Sequence, residues 1–155
     1  MKAVQDIEGR LDAAAARCTQ DGARFTDLRR QVLAFVLEAD GPITAYALLD
    51  RLRGTKWNAA PPTVYRALEF LLQHGLVHRV ERLNAYVGCD EGEAHGHAAQ
   101  FLICRTCGAV DEVDDRTVAD AVGLAAAAKG FTPARATIEI EGTCATCHLR
   151  TTPAG

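Results

Sequence analysis

The 155-residue chain predicts an α+β fold in two parts, on three observations. Apolar residues recur at helical spacing through residues 1–75, strand-like alternation begins at residue 76, and two Cys-x-x-Cys pairs, Cys104/Cys107 and Cys144/Cys147, punctuate the last third. The expected architecture is an N-terminal winged helix-turn-helix domain followed by a small C-terminal α/β domain built round a four-cysteine metal site.

Residues 4–16 are alanine-rich and helix-prone. Thr26-Asp27 can cap a second helix, LRRQVLAFVLEA, whose Leu28, Val32, Phe35 and Val36 share one face, and Gly41-Pro42 ends it. Thr44 can cap a third, AYALLDRLR; Ala60-Pro61-Pro62 starts a fourth, TVYRALEFLLQ, which Gly75 closes. Short helices in succession, joined by tight turns, suggest a helix-turn-helix core. LVHRVER and NAYVGC then read as a hairpin turning on Leu83-Asn84, which sets Arg82 opposite Ala85, Val80 opposite Val87 and His78 opposite Cys89. Helices followed directly by a hairpin give the order of a winged helix. GCDEGEAHG is Gly-rich, acidic and unpatterned, so the expected division is a domain over residues 1–88, a hinge over 89–97 and a second domain over 98–155. The second domain reads as strand QFLIC, strand AVDEV, a helix at about 115–129 and strand ATIEIEG, in which Ile138 and Ile140 alternate with Glu139 and Glu141.

The net charge of −3 does not advertise nucleic-acid binding, but it is unevenly spread: residues 1–85 carry 12 Lys/Arg against 10 Asp/Glu, and residues 86–155 carry 5 against 10. The N-terminal residues lack a signal-peptide core, and no apolar run reaches the roughly 18 residues of a membrane span, so a soluble cytoplasmic protein is expected. In a reducing compartment the six cysteines are better explained as metal ligands or reactive thiols than as disulfides.

On the fourth helix, Val64, Ala67, Leu68, Leu71 and Leu72 fall on one face, and Tyr65, Arg66, Glu69 and Gln73 on the other. The outward set has base-reading chemistry: Arg can pair with guanine O6 and N7, Gln with adenine, and Tyr can pack on a thymine methyl. The helix N-terminus, Thr63 and nearby Lys56 can hold phosphate, and Arg79 or Arg82 of the hairpin can grip the backbone. The bland alternative is a solvated polar face.

Cys104, Cys107, Cys144 and Cys147 can close a tetrahedral shell around a structural zinc ion, each pair presented by one tight turn, to which Gly108 is suited. Cys144-Ala-Thr-Cys147-His148 also matches a c-type haem attachment pattern, but without an export signal and with the other pair unexplained; a thioredoxin-like dithiol lacks its βαβ context. His78 and Cys89, on one face of the hairpin, could share a second metal or form a quiet buried pair. His97, at the end of the hinge, and Glu112 would complete a shell of two imidazoles, a thiolate and a carboxylate.

With PPTVYRALEFL on the fourth helix, ICRTCG after the hinge and a late CATC, the chain resembles the ferric uptake regulator family over essentially its whole length. The resemblance implies a dimeric, metal-dependent bacterial repressor whose C-terminal domain dimerises. The family's iron-type pattern has ligands where Ala99 and Phe101 stand here, so the chain looks closer to the zinc uptake regulator branch. That branch implies His78, Cys89, His97 and Glu112 as a regulatory zinc site beside the four-cysteine structural one, hence two zinc ions per subunit. A ligand set of this softness independently favours zinc over ferrous iron or manganese. His95 could substitute for His97 or be a loop residue, and Cys18, His74 and His148 are expected to be non-ligands. The resemblance further implies an AT-rich inverted-repeat operator near zinc-uptake genes, read by Tyr46, Tyr65 and Arg66. Asp50 and Arg53 resemble positions that link two dimers on DNA, though an ordinary i,i+3 pair explains them equally well. A regulator sensing another metal is the alternative. A zinc enzyme is disfavoured: a nucleobase deaminase would need His-x-Glu and Pro-Cys-x-x-Cys, and neither is present.

Overall fold

The computed structural model describes residues 4–89 and 98–151. The chain divides into two compact units, residues 1–95 and 96–155.

In the first unit, α1 (Val4–Gln20) and α2 (Asp27–Glu38) lead to a two-residue strand β1 (Ile43–Thr44), α3 (Ala45–Arg53) and α4 (Pro61–Gln73). Helix starts follow their caps: the Thr26 hydroxyl accepts the Arg29 N–H at 3.3 Å, and the Thr44 hydroxyl accepts the Ala47 N–H at 3.1 Å. Thr44 thus both ends β1 and starts α3. The apolar stripes of the helices converge on one core that includes Leu11, Val32, Leu48, Leu52, Leu68 and Leu71. α1 runs past residue 16, the end expected from its alanine tract, because Cys18 on its last turn is fully buried in that core. Arg30 of α2 reaches back to Glu8 and Asp12 of α1, at 2.8 Å each.

The hairpin is β2 (Val77–Val80) and β3 (Ala85–Gly88), with β1 on its far side in the order β1-β3-β2. Its register differs from the expected one by two residues: Val80 pairs with Ala85 and His78 with Val87, so Cys89 lies diagonal to His78 rather than opposite it. The reason is the turn. Glu81–Leu83 form a short 3₁₀ turn closed by Asn84 at φ 47°, a left-handed conformation that Asn tolerates, so four residues turn the chain instead of two. A two-residue shift keeps every side chain on its original face, because the strand period is two.

The second unit is a three-stranded sheet, β5 (Val110–Val113), β4 (Ala99–Cys104) and β6 (Thr137–Gly142) in that order, with α5 (Arg116–Ala127) crossing between β5 and β6 and α6 (Ala145–Thr151) following β6. β4 runs antiparallel to β5 and parallel to β6, and the parallel pairing requires a crossover such as α5. Asp115 caps α5, accepting from Thr117 N–H at 2.8 Å, while its carbonyl takes the amide of the buried Gln100 at 2.8 Å. Central β4 supplies the buried side chains Ala99, Phe101 and Ile103. The Ile/Glu alternation of β6 does form a strand, but Ile140 remains 53% exposed, and α5 carries no buried residue. Among the described residues no helix is long and apolar enough to cross a membrane.

Candidate metal centres and nucleic-acid interface

The strand order of the second unit brings its cysteines together. Cys104 ends β4, and Cys144 follows Gly142, the β6 residue paired with Cys104. A tight turn carries the chain from Cys104 to Cys107: the Gly108 N–H returns to the Cys104 carbonyl at 2.9 Å, with Gly108 at φ +74° where a side chain would be strained. α6 then lifts Cys147 back toward Cys144, the His148 N–H bonding the Cys144 carbonyl at 2.9 Å. The sulfur atoms of Cys104, Cys107, Cys144 and Cys147 all lie within 4.8 Å of one another, and Cys107 Sγ and Cys144 Sγ are 3.8 Å apart. A tetrahedron of sulfurs at zinc–thiolate bond length has an edge of about 3.8 Å. The donor set therefore fits zinc.

Hydrogen bonds among the four crowded thiols move their acidities apart. The Cys144 N–H, which donates to Cys104 Sγ at 3.3 Å, and the N–H groups of Cys107 and Thr106 draw the Cys104 thiol down to about 5. Hydrogen bonding to Cys144 and Cys107 pushes Cys147 up to about 12. Because zinc binds cysteine as the thiolate, metal capture releases thiol protons and weakens as pH falls.

On the wing, His78 and Cys89 offer ligand atoms within 4.8 Å of each other, the separation expected of diagonal neighbours on one face. Cys89 is buried and held by its backbone: its N–H donates to the Leu76 carbonyl at 3.1 Å, and its carbonyl accepts from Arg10 Nη2 at 2.8 Å. Sequence reasoning missed Arg10, which lies 79 residues from Cys89, and no local pattern marks it. Glu112 sits on β5, half-buried and paired across the sheet with Phe101. His95 and His97 lie outside the described residues. Ala99 and Phe101 are buried apolar side chains 4% and 1% exposed.

α4 presents the face expected of it. Val64, Ala67, Leu68 and Leu71 are buried, joined by Phe70, while Tyr65 is 56% exposed and Arg66, Glu69 and Gln73 are exposed. Phe70 lies in the core cluster, and the Arg29 guanidinium stacks 3.6 Å above its ring. One expectation is corrected at the helix start. Pro61 and Pro62 have no N–H, and the N–H groups of Thr63 and Val64 both turn back to the Ala60 carbonyl, at 3.0 and 3.4 Å. The first turn therefore offers little backbone donor capacity to a phosphate, leaving the Thr63 hydroxyl and Lys56 as its polar handles. Lys56 is exposed with its ammonium 5.0 Å from the Trp57 ring centroid, and Tyr46 on α3 is 71% exposed. Asp50 and Arg53, on the same helix, pair with each other at 3.4 Å.

The ferric uptake regulator family model matches residues 20–141. The chain is 45% identical over 137 residues to the zinc uptake regulation protein of Escherichia coli strain K12, covering 88% of this chain and 80% of that one. To the zinc uptake regulation protein of Mycobacterium tuberculosis it is 34% identical over 130 residues, covering 82% and 96%. Among solved structures, a zinc uptake regulator complexed with zinc and DNA superposes with a TM-score of 0.86 at 41% identity, covering 96% of this chain and 98% of that one.

Proposed function

This chain belongs to the ferric uptake regulator family, and on that premise we propose that it is a zinc-responsive, DNA-binding transcriptional repressor of the zinc uptake regulator branch. It acts as a cytoplasmic homodimer on AT-rich inverted-repeat operators beside zinc-uptake genes, and no catalytic residue is assigned. The observation that carries the reading is the His78–Cys89 pair: metal-ligand chemistry sits on the hairpin that directly follows α4, within the same compact unit as the exposed Tyr65 and Arg66.

Two zinc sites per subunit have separate duties in this reading. Cys104, Cys107, Cys144 and Cys147 hold the structural ion, which supplies the positive charge that lets all four sulfurs ionise together and ties the end of β4 to the chain after β6. His78, Cys89, His97 and Glu112 bind the sensed zinc, and their mixed nitrogen, sulfur and oxygen donors select it over harder divalent ions. Ligands drawn from both domains bind well together only in one mutual orientation, so zinc selects that orientation. If it is the one in which both recognition helices of a dimer reach successive major grooves, zinc raises operator affinity and operator raises zinc affinity by the same factor.

Tyr46, Tyr65 and Arg66 read bases, Lys56 and Thr63 hold phosphates, and Asp50 and Arg53 exchange their in-helix pairing for a contact between dimers on one operator. Fluorescence anisotropy of a labelled palindromic AT-rich duplex tests the switch. Zinc should tighten binding of the native protein and leave Cys89→Ala unaffected. Equal affinity with and without zinc in the native protein would refute it.

A further inference from the structure

Cys89 is the last described residue of the first unit, and it stands beyond the end of the wing ladder, whose final pair is Val77 and Gly88. Its backbone is nevertheless fixed at both polar atoms. The N–H is held by Leu76, next to the start of β2; the carbonyl is held by Arg10, in the middle of α1. A guanidinium donating to a half-buried carbonyl makes a charge-assisted bond, stronger than a neutral one.

Two further features show that the strand end is built to reach α1. A Cβ on Gly88 would stand 2.5 Å from Leu37 Cδ2, so any larger residue would have to displace the buried Leu37 side chain, while Arg10 Nη2 would lie in ordinary contact at 3.4 Å. Arg10 and Cys89 also share the wall of a small cavity of about 120 Å³ between α1, α2 and the root of the hairpin.

We infer that Arg10 is a positioning residue for the sensing thiolate: by clamping the Cys89 carbonyl to α1 through the gap that Gly88 leaves, it fixes Cys89 Sγ beside His78 before metal arrives. The inference rests on the proposed sensing role of His78 and Cys89. It makes α1 part of the metal site, although the helix contributes no ligand. Arg17, two turns further along α1, gives an internal control, because its guanidinium donates instead to the His74 carbonyl at the end of α4, at 2.5 Å.

The test uses the full chain with its four-cysteine site filled by zinc and Co²⁺ as the probe of the second site, followed by thiolate-to-cobalt charge-transfer absorption. Cys89→Ser should abolish that band; a variant that keeps it would overturn the sensing-site reading itself. Arg10→Met preserves the aliphatic stem and helix propensity but removes the donors. It should weaken Co²⁺ binding about 10–100-fold, the usual effect of removing a group that orients a metal ligand, and should reduce the band at saturation. Arg10→Lys, which restores one donor, should recover part of the affinity, and Arg17→Met should remain within about threefold of native, well short of that range. Native affinity and spectrum in Arg10→Met, with the band lost in Cys89→Ser, would overturn the inference. So would equal weakening by Arg17→Met, because that would report loosening of α1 as a whole.

Discussion

The four-cysteine cluster and the His78–Cys89 pair both offer sulfur as a metal ligand, but they are assembled differently. The cluster is complete within one compact unit, its sulfurs gathered by two neighbouring parallel strands and a short helix. The wing pair supplies an imidazole and a thiolate from one hairpin and needs further donors. A site that closes within one unit can cross-link it permanently, whereas a site left incomplete by one unit can report how a second is placed. This contrast is the physical basis for the proposal that the first site stabilises and the second regulates.

The largest effect should follow from breaking the closed site. Cys104→Ser or Cys144→Ser should lose one tightly held zinc per chain and, with it, the dimer or the fold of the second unit, as metal analysis and sedimentation would show. A variant with full metal content and native shape would mean the cysteines are not its ligands. The contrast sharpens with the wing pair: His78→Ala or Cys89→Ala should keep that zinc and the dimer yet abolish zinc-stimulated operator binding. Loss of both functions together would erase the division of labour.

Smaller effects test the reading face. Arg66→Ala should cost about 1–3 kcal/mol of discrimination between operator and mismatched duplex, while Lys56→Ala should weaken all duplexes alike and lower the salt slope by about one. The reverse pattern would mean that α4 does not enter the groove. Smallest of all, Asp50→Ala should change the stability of the unbound protein by only about 0.3–0.5 kcal/mol, as expected of an exposed in-helix pair. Its effect should instead appear as lost cooperativity between dimers on a long operator; unchanged cooperativity would leave Asp50 and Arg53 an ordinary helix pair.

Much of this organisation was legible in the sequence, because it is written in local periods. The 3.6-residue spacing of Val64, Ala67, Leu68 and Leu71 identified the buried face of α4, and the Cys-x-x-Cys spacing identified the closed cluster. Phe70, which the helical spacing assigns to neither face, is buried beneath Arg29, a residue of another helix. The hairpin register was off by two residues, since Asn84 adopts a left-handed conformation that lengthens the turn. The His78–Cys89 association survived that shift only because strand faces repeat every second residue. β1 and α6 went unread because two and seven residues carry too little pattern. Arg10 was illegible for a different reason: its partner is a backbone carbonyl, which leaves no mark on side-chain patterning.

The division between a permanent and a reporting site is tested most directly by counting zinc per chain before and after mild chelation. The account predicts two ions of very different lability, one removed readily with loss of operator binding and one retained with the dimer intact. A single ion per chain, or two released together, would contradict it.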